Sequence, residues 1–209
     1  MRITEIFHSI QGEGTLIGLP MLFIRTNRCN LRCRWCDSTY TFSGGQEMTL
    51  DEIMEKIYAS SEDWVCLTGG EPLLQRESVE LIERAGRVGR KVLLETGGSL
   101  SLKDYANMDN LTIDMDVKTP SSGEQASLYR NNLDYLRRGD YIKFVVADHI
   151  DLAYALDFIR NGKMKFGVVL QPAWGTDMKW LAEKVLESHL NVRVLPQLHK
   201  LIWGEIPGV

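Results

Sequence analysis

Short aliphatic and β-branched runs alternate along this chain with longer stretches of helical periodicity, and that alternation limits the fold more than any other feature. Strands are expected at Met21–Thr26, Trp64–Leu67, Lys91–Glu95, Leu111–Asp116, Tyr141–Val146 and Phe166–Gln171, with a further one from Asn191 to Leu195. Val92-Leu93-Leu94, Phe144-Val145-Val146 and Val168-Val169-Leu170 are continuous apolar runs, the pattern of strands covered on both faces. Thr49 and Glu52 form a capping-box pattern ahead of Ile53, Met54 and Ile57. Further helices are expected from about Ser78 to Val88, His149 to Arg160 and Asp177 to Ser188. The connections Ser99–Asn110 and Thr119–Asp140 are too irregular for full-length helices. Strand–helix alternation implies a parallel sheet with right-handed crossovers. This is an α/β pattern, and its excess of strands over helices suggests an incomplete, open TIM-like barrel of about six parallel strands. An open doubly wound sheet would look much the same, and in both the site forms at the C-terminal ends of the strands. At 209 residues the chain fits one domain, residues 1–209.

The first of these strands runs into Thr26-Asn27-Arg28-Cys29-Asn30-Leu31-Arg32-Cys33-Arg34-Trp35-Cys36-Asp37. Four cysteines are too few for a disulfide scaffold at this length, and three of them crowd into eight residues. In a reducing compartment such clustering points to metal before disulfide. Spacings of three and two residues place three thiolates on one loop, close enough to wrap a single iron–sulfur cluster. Such clusters are commonly held by four cysteines. The fourth here, Cys66, sits inside Trp64-Val65-Cys66-Leu67 and reads as a small buried hydrophobe. One iron would then stay open to a substrate or cosubstrate. A structural zinc wants four tetrahedral ligands, usually as two separated pairs, and no nearby Cys or His supplies the fourth.

Thr68-Gly69-Gly70-Glu71-Pro72 follows the next strand directly. Two glycines at a strand end let a ligand approach the backbone, and Glu71 can accept from an ammonium group. A plain strand-to-helix turn uses the same dipeptides. Further along, Asp114, Asp116 and Lys118 share one face if the strand persists that far, and a buried carboxylate row is costly unless solvated or functional. Gln171 closes the strand Val168-Val169-Leu170-Gln171-Pro172.

Cys-x3-Cys-x-aromatic-Cys, with Trp35 as the aromatic, resembles the signature of the radical S-adenosylmethionine (SAM) superfamily. In that superfamily the open iron of a [4Fe–4S] cluster is chelated by SAM, whose cleavage yields a 5′-deoxyadenosyl radical that removes hydrogen from the substrate. The resemblance implies a radical SAM type of barrel in which Cys29, Cys33 and Cys36 hold the cluster. It also implies SAM contacts from Trp35, from Gly69, Gly70 and Glu71 at its amino group, from Asp116 and Lys118, and from Gln171 at the ribose. Related sequences often have Ser-Pro-Lys where this chain has Asp116-Val117-Lys118.

The run Glu5-Ile6-Phe7-His8-Ser9-Ile10-Gln11-Gly12-Glu13-Gly14 is physically a strand followed by a Gly-rich turn. Together with Phe23-Ile24-Arg25-Thr26, Cys36-Asp37-Ser38 and Gln197-Leu198-His199-Lys200 it resembles the 7-carboxy-7-deazaguanine synthase family over essentially the whole chain. Members rearrange 6-carboxy-5,6,7,8-tetrahydropterin to 7-carboxy-7-deazaguanine with loss of ammonia, on the route to queuosine and related nucleosides. The resemblance implies that Gln11 and Glu13 hold the pterin, that Arg25 and His199 assist, and that Thr68 adds a hydrogen bond. Chemically, the donor edge of an amino-pyrimidinone suits a glutamate and the substrate carboxylate suits a guanidinium fork. Pairing with each other at the strand end is the alternative for Glu13 and Arg25. Family members often bind Mg²⁺ through a Thr after the Cys-Asp pair. Here Ser38 stands there, a hard oxygen ligand suited to an ion that keeps several waters. A homodimer and a reducing electron donor, such as a flavodoxin or ferredoxin, are also implied.

The remaining classes are disfavoured by composition. An apolar share of 44%, a charged share of 25% and a net charge of −4 read as globular, with no electrostatic footprint for nucleic acid. No apolar run suits a membrane span, and Met1-Arg2-Ile3-Thr4-Glu5 lacks the apolar stretch of a signal peptide, so a cytoplasmic protein is expected. Two rival functions are an activating enzyme that makes a glycyl radical on a protein partner, and a non-catalytic iron–sulfur or zinc module. The first predicts a groove for a polypeptide and no pterin pocket. The second predicts a fourth metal ligand and no use for Gly69-Gly70-Glu71.

Overall fold

The computed structural model describes residues 1–162, 164–206 and 208. Its strands are β1 (Arg2–Ile10), β2 (Pro20–Thr26), β3 (Gln46–Glu47), β4 (Trp64–Gly69), β5 (Lys91–Thr96), β6 (Leu111–Asp116), β7 (Tyr141–Val146), β8 (Gly167–Pro172) and β9 (Arg193–Val194). They form one sheet in the order β3-β1-β2-β4-β5-β6-β7-β8-β9, which does not close. Every neighbouring pair from β2 to β9 is parallel, whereas β1 lies antiparallel to both β2 and β3. The expected open barrel is therefore present, extended at one edge by an antiparallel flap. The strand expected ahead of the Gly-rich turn is β1; its antiparallel direction, and an irregularity in its pairing with β2 between Ile3 and Glu5, are what the sequence pattern did not carry.

The helices are α1 (Leu50–Ala59), α2 (Glu77–Arg87), α3 (Asn132–Tyr135), α4 (His149–Asn161), α5 (Met178–Ser188) and α6 (Leu198–Trp203). Thr49 opens α1 as a capping box: its hydroxyl accepts from Glu52 N at 3.2 Å and its N–H donates to Glu52 Oε2 at 2.7 Å. Asp148 and Asp177 cap α4 and α5 with their carboxylates. The two irregular connections hold only short helical turns and α3.

Alternation along the strands separates two layers. Leu22, Ile24, Val65, Leu67, Val92, Leu94, Ile142 and Phe144 face outward into the main core, against Ile53 and Ile57 of α1, Ile82 of α2 and Ala155 of α4. Each such side chain contributes about 1.5–3 kcal/mol when fully buried. The inner face carries a smaller apolar cluster of Met21, Phe23, Cys66, Leu93, Tyr141 and Val169, which floors the half-barrel.

Candidate active site

Two residues beyond that floor, the same strands turn polar. Arg25 follows Phe23, Thr68 follows Cys66, Glu95 follows Leu93, Lys143 follows Tyr141 and Gln171 follows Val169. Side chains two apart share a face, so an apolar layer and a polar layer are stacked along the barrel interior. Above them, at the strand C-terminal ends, lies a cavity of about 590 Å³, within the usual size of small-molecule sites. Every site residue expected from the sequence lines it except Gln171.

One wall is the cysteine loop. Arg28, just before Cys29, adopts φ 74°, an uncommon conformation for a side-chain-bearing residue. It is held there by its N–H on Thr41 O at 2.7 Å and by its carbonyl, which accepts from Glu71 N at 2.8 Å. Gly70 N donates to Thr26 O at 3.2 Å. A Cβ on Gly69 would overlap the Thr26 backbone, and one on Gly70 the Arg28 carbonyl oxygen. The glycine pair thus admits the backbone of the cysteine loop, where sequence reasoning expected a ligand. Gly70→Ala should therefore lower the melting temperature and the iron content together, since a backbone carbonyl cannot swing aside. Normal iron loading and an unchanged melting temperature would contradict this packing.

Glu71 is fully engaged: its carboxylate accepts from Leu73 N at 3.1 Å, Gly97 N at 2.8 Å and the Thr96 hydroxyl at 2.8 Å. Burial still pushes this carboxyl above its ordinary range. Cys29, Cys33 and Cys36 all face the cavity, half-buried. Leu31 N donates to Cys29 Sγ at 3.4 Å, and Cys36 N to Cys33 O at 3.3 Å. Burial raises the Cys29 thiol and takes Cys33 up to about 11, so a bound metal group would have to draw off their protons. Among the described residues no three Cys, His, Asp or Glu side chains converge on a single-ion position. Cys66 lies in the apolar floor, completely buried, where burial pushes its thiol far up.

Next to this wall, Lys118 Nζ pairs with Asp116 Oδ2 at 2.9 Å and lies 5.5 Å from the centre of the Trp35 ring. Trp35 Nε1 donates to Ser121 Oγ at 2.9 Å. Asp116 Oδ1 is buried without a hydrogen-bond partner, as are both amide atoms of Gln171, which sits beneath the wall rather than on it. Buried polar atoms left unpaired are rare and invite an explanation. Here they offer acceptors, and one donor, to a hydroxyl- and ammonium-bearing cosubstrate, which fits SAM.

On the opposite side Glu13 and Arg25 do not pair with each other. Arg25 Nε donates to Glu5 Oε1 at 2.7 Å, and its guanidinium lies 5.5 Å from the Phe7 ring centre. The Tyr40 hydroxyl donates to the same Glu5 oxygen at 2.9 Å. Glu13 is gripped by Lys143 Nζ at 2.5 Å and Gln197 Nε2 at 3.0 Å. Burial opposes ionisation of Glu13, but Lys143, His199 and Gln197 outweigh it and hold the carboxyl well below its ordinary range. Gln11 Nε2 and the Thr68 hydroxyl both donate to Glu95, at 2.9 and 2.6 Å. His199 packs against Gly12, whose carbonyl accepts from Leu198 N at 2.8 Å.

Sequence reasoning missed Lys143, Asp114's partnership with it, and Glu95. A signal was present for the two residues, though not for the partnership: Lys143 interrupts the apolar run Tyr141-Ile142-Lys143-Phe144, and Glu95 ends Val92-Leu93-Leu94. Ser38 donates to Asp37 Oδ1 at 2.9 Å, while Asp37 Oδ2 lies 3.3 Å from Lys200 Nζ. The hydroxyl and carboxylate are hard oxygen ligands of the kind Mg²⁺ takes, with a lysine ammonium already beside them.

Comparisons with known proteins agree with this geometry. The Radical SAM superfamily model matches residues 23–158. The chain is 48% identical to a 7-carboxy-7-deazaguanine synthase from Thermoplasma acidophilum, with all of both chains covered. It is 42% identical to one from Koribacter versatilis, again with both covered in full. In fold it is similar to the crystal structure of QueE from Escherichia coli, with a TM-score of 0.79 and 21% identity over 95% of this chain and 94% of that one.

Proposed function

The chain belongs to the 7-carboxy-7-deazaguanine synthase family of the radical SAM superfamily, and on that premise we propose which of its residues carry each part of the reaction. The enzyme converts 6-carboxy-5,6,7,8-tetrahydropterin to 7-carboxy-7-deazaguanine with loss of ammonia. When bound, the [4Fe–4S] cluster and SAM supply the radical that removes a substrate hydrogen, while the protein supplies binding, orientation and exclusion of water. Cys29, Cys33 and Cys36 hold the cluster. Trp35, Asp116, Lys118 and the Gly69–Glu71 turn form the SAM side of the cavity, with Gln171 beneath it. Glu13 accepts from the donor edge of the pterin, and Arg25 takes its carboxylate. Glu95, fixed by Gln11 and Thr68, presents a second carboxylate at the same depth.

The observation that carries this reading is the division of one cavity. Three thiols line one wall, and a half-buried guanidinium and an anionic glutamate line the other. A glycyl-radical activase has no need of the second wall, and an electron carrier has no need of the cavity. The test is anaerobic incubation with SAM, dithionite and carboxytetrahydropterin. Carboxydeazaguanine should form, and SAM cleavage without it, or no cleavage, would overturn the assignment.

Three finer points belong to the same proposal. Ser38 and Asp37 bind Mg²⁺ beside the substrate after Lys200 swings aside, so Mg²⁺ should raise turnover and Ser38→Ala should remove that response; turnover indifferent to chelation would exclude it. Two copies pair as a homodimer in the cytoplasm, and the dimer mass should appear in light scattering at micromolar concentration, where a monomer mass would refute it. A flavodoxin or ferredoxin serves as the reductant. No helix of the described residues is long and apolar enough to cross a membrane.

A further inference from the structure

Lys143 is the anomaly of the barrel interior. Its side chain is 7% exposed, inside an otherwise apolar strand whose other residues are all buried. A buried ammonium costs several kcal/mol unless it is closely paired. Here Nζ lies 2.5 Å from Glu13 Oε2 and 3.2 Å from Asp114 Oδ2, so one cation joins the N-terminal loop to β6. Asp114 is 1% exposed and its Oδ1 has no partner. Among the described residues Lys143 is the only cation that forms an ion pair with Glu13.

We propose that Lys143 is a positioning residue for substrate binding: clamped by Asp114, it keeps Glu13 an anion turned toward the donor edge of the pterin. The proposal rests on the substrate assignment above. A carboxylate offers acceptors on both oxygens, while a protonated carboxyl puts a donor in the place of one of them, so the charge of Glu13 decides whether an N–H edge can bind. Burial opposes ionisation of Glu13 and Lys143 is the strongest influence countering burial, so removing the cation raises the affinity of this carboxyl for a proton. The groups facing Lys143 are Asp114, Glu13, Asp116, Glu95 and, more distantly, Lys118, and those facing Glu13 are Lys143, Asp114 and the His199 imidazole. Burial, helped by Glu95, Asp116 and Glu13 and resisted by Lys143, pushes Asp114 up to about 7. Asp114 can therefore adjust its own charge while Lys143 stays protonated.

The deciding measurement is the dissociation constant of 6-carboxytetrahydropterin, by anaerobic calorimetry on cluster-loaded enzyme from about pH 6.5 to about pH 8.5, with each variant divided by wild type at the same pH. Lys143→Met should bind about 30-fold or more weakly at the acid end and recover toward the alkaline end, as Glu13 gains and then loses its proton. Lys143→Arg keeps the charge and should show a flat ratio. Lys143→Met/Asp114→Asn removes one charge of each sign, so it tests the same point in a core that stays balanced. A flat ratio in either Met variant overturns the proposal, as does Lys143→Arg titrating like Lys143→Met. Failure of both Met variants to fold would make Lys143 a structural charge and also overturn it. If wild type itself does not bind the pterin, the substrate assignment falls instead, which separates the two failures.

Discussion

Cys29→Ala, Cys33→Ala and Cys36→Ala should each reduce SAM cleavage to background, whereas Cys66→Ala should retain a reducible [4Fe–4S] cluster. Three ligands leave no redundancy, and the three thiols share one cavity wall. Cys66 belongs instead to the floor, packed with Met21, Phe23, Leu93, Tyr141 and Val169. Its truncation removes one buried sulfur and should cost on the order of 1 kcal/mol, from lost contacts and a small cavity. Iron content, the electron paramagnetic resonance signal after dithionite reduction and 5′-deoxyadenosine yield would be measured on all four variants. Loss of the cluster in Cys66→Ala, with an intact one in Cys33→Ala, would sink the three-cysteine assignment.

Glu13→Gln and Arg25→Ala should leave iron content and substrate-independent SAM cleavage in place, yet remove most carboxydeazaguanine formation. Losing one partner of a buried, charge-assisted contact costs about 2–5 kcal/mol, or about 30- to several-thousand-fold in binding. Neither residue is bonded to the cysteine loop: Arg25 is held by Glu5, and Glu13 by Lys143 and Gln197. Glu13→Gln keeps the shape but withdraws the charge, which leaves Lys143 paired with Asp114 alone. A purely structural role predicts a different result, with melting temperature and cluster loading falling together. Product formed per SAM cleaved, alongside melting temperature, separates the two. Unchanged coupling in stable variants would place the pterin elsewhere.

How far the molecule was legible depended on the range of the interaction. The parallel strands and the Thr49 capping box are local patterns, and both appear where the periodicity put them. The three cysteines were legible through motif spacing, and the pterin-side residues Gln11, Glu13, Arg25, Thr68 and His199 only through the family resemblance. Partnerships were not. Lys143 and Glu13 are 130 positions apart, and Thr68 and Glu95 are 27 apart. No local rule couples them. The reason for Gly69 and Gly70 was also out of reach, since it lies in the Thr26–Arg28 backbone on a neighbouring strand. Gln171 illustrates the converse: the resemblance put it at the SAM ribose, and its place at the end of β8 leaves it buried beneath the cavity wall.

The two ends of the described chain meet at the substrate side of the cavity, where Leu198 N bonds to Gly12 O and Gln197 reaches Glu13. Synthesis runs from the N-terminus at about 5–20 residues per second. The cysteine loop and its packing partner Gly70 therefore emerge from the ribosome well before α6. The cysteine loop itself waits for residues up to Glu124, whose carboxylate accepts from Arg32 N at 2.6 Å, while the pterin wall waits for Gln197 and His199. The substrate wall, built from residues 11–13 and 197–199, is therefore complete only once α6 has been made.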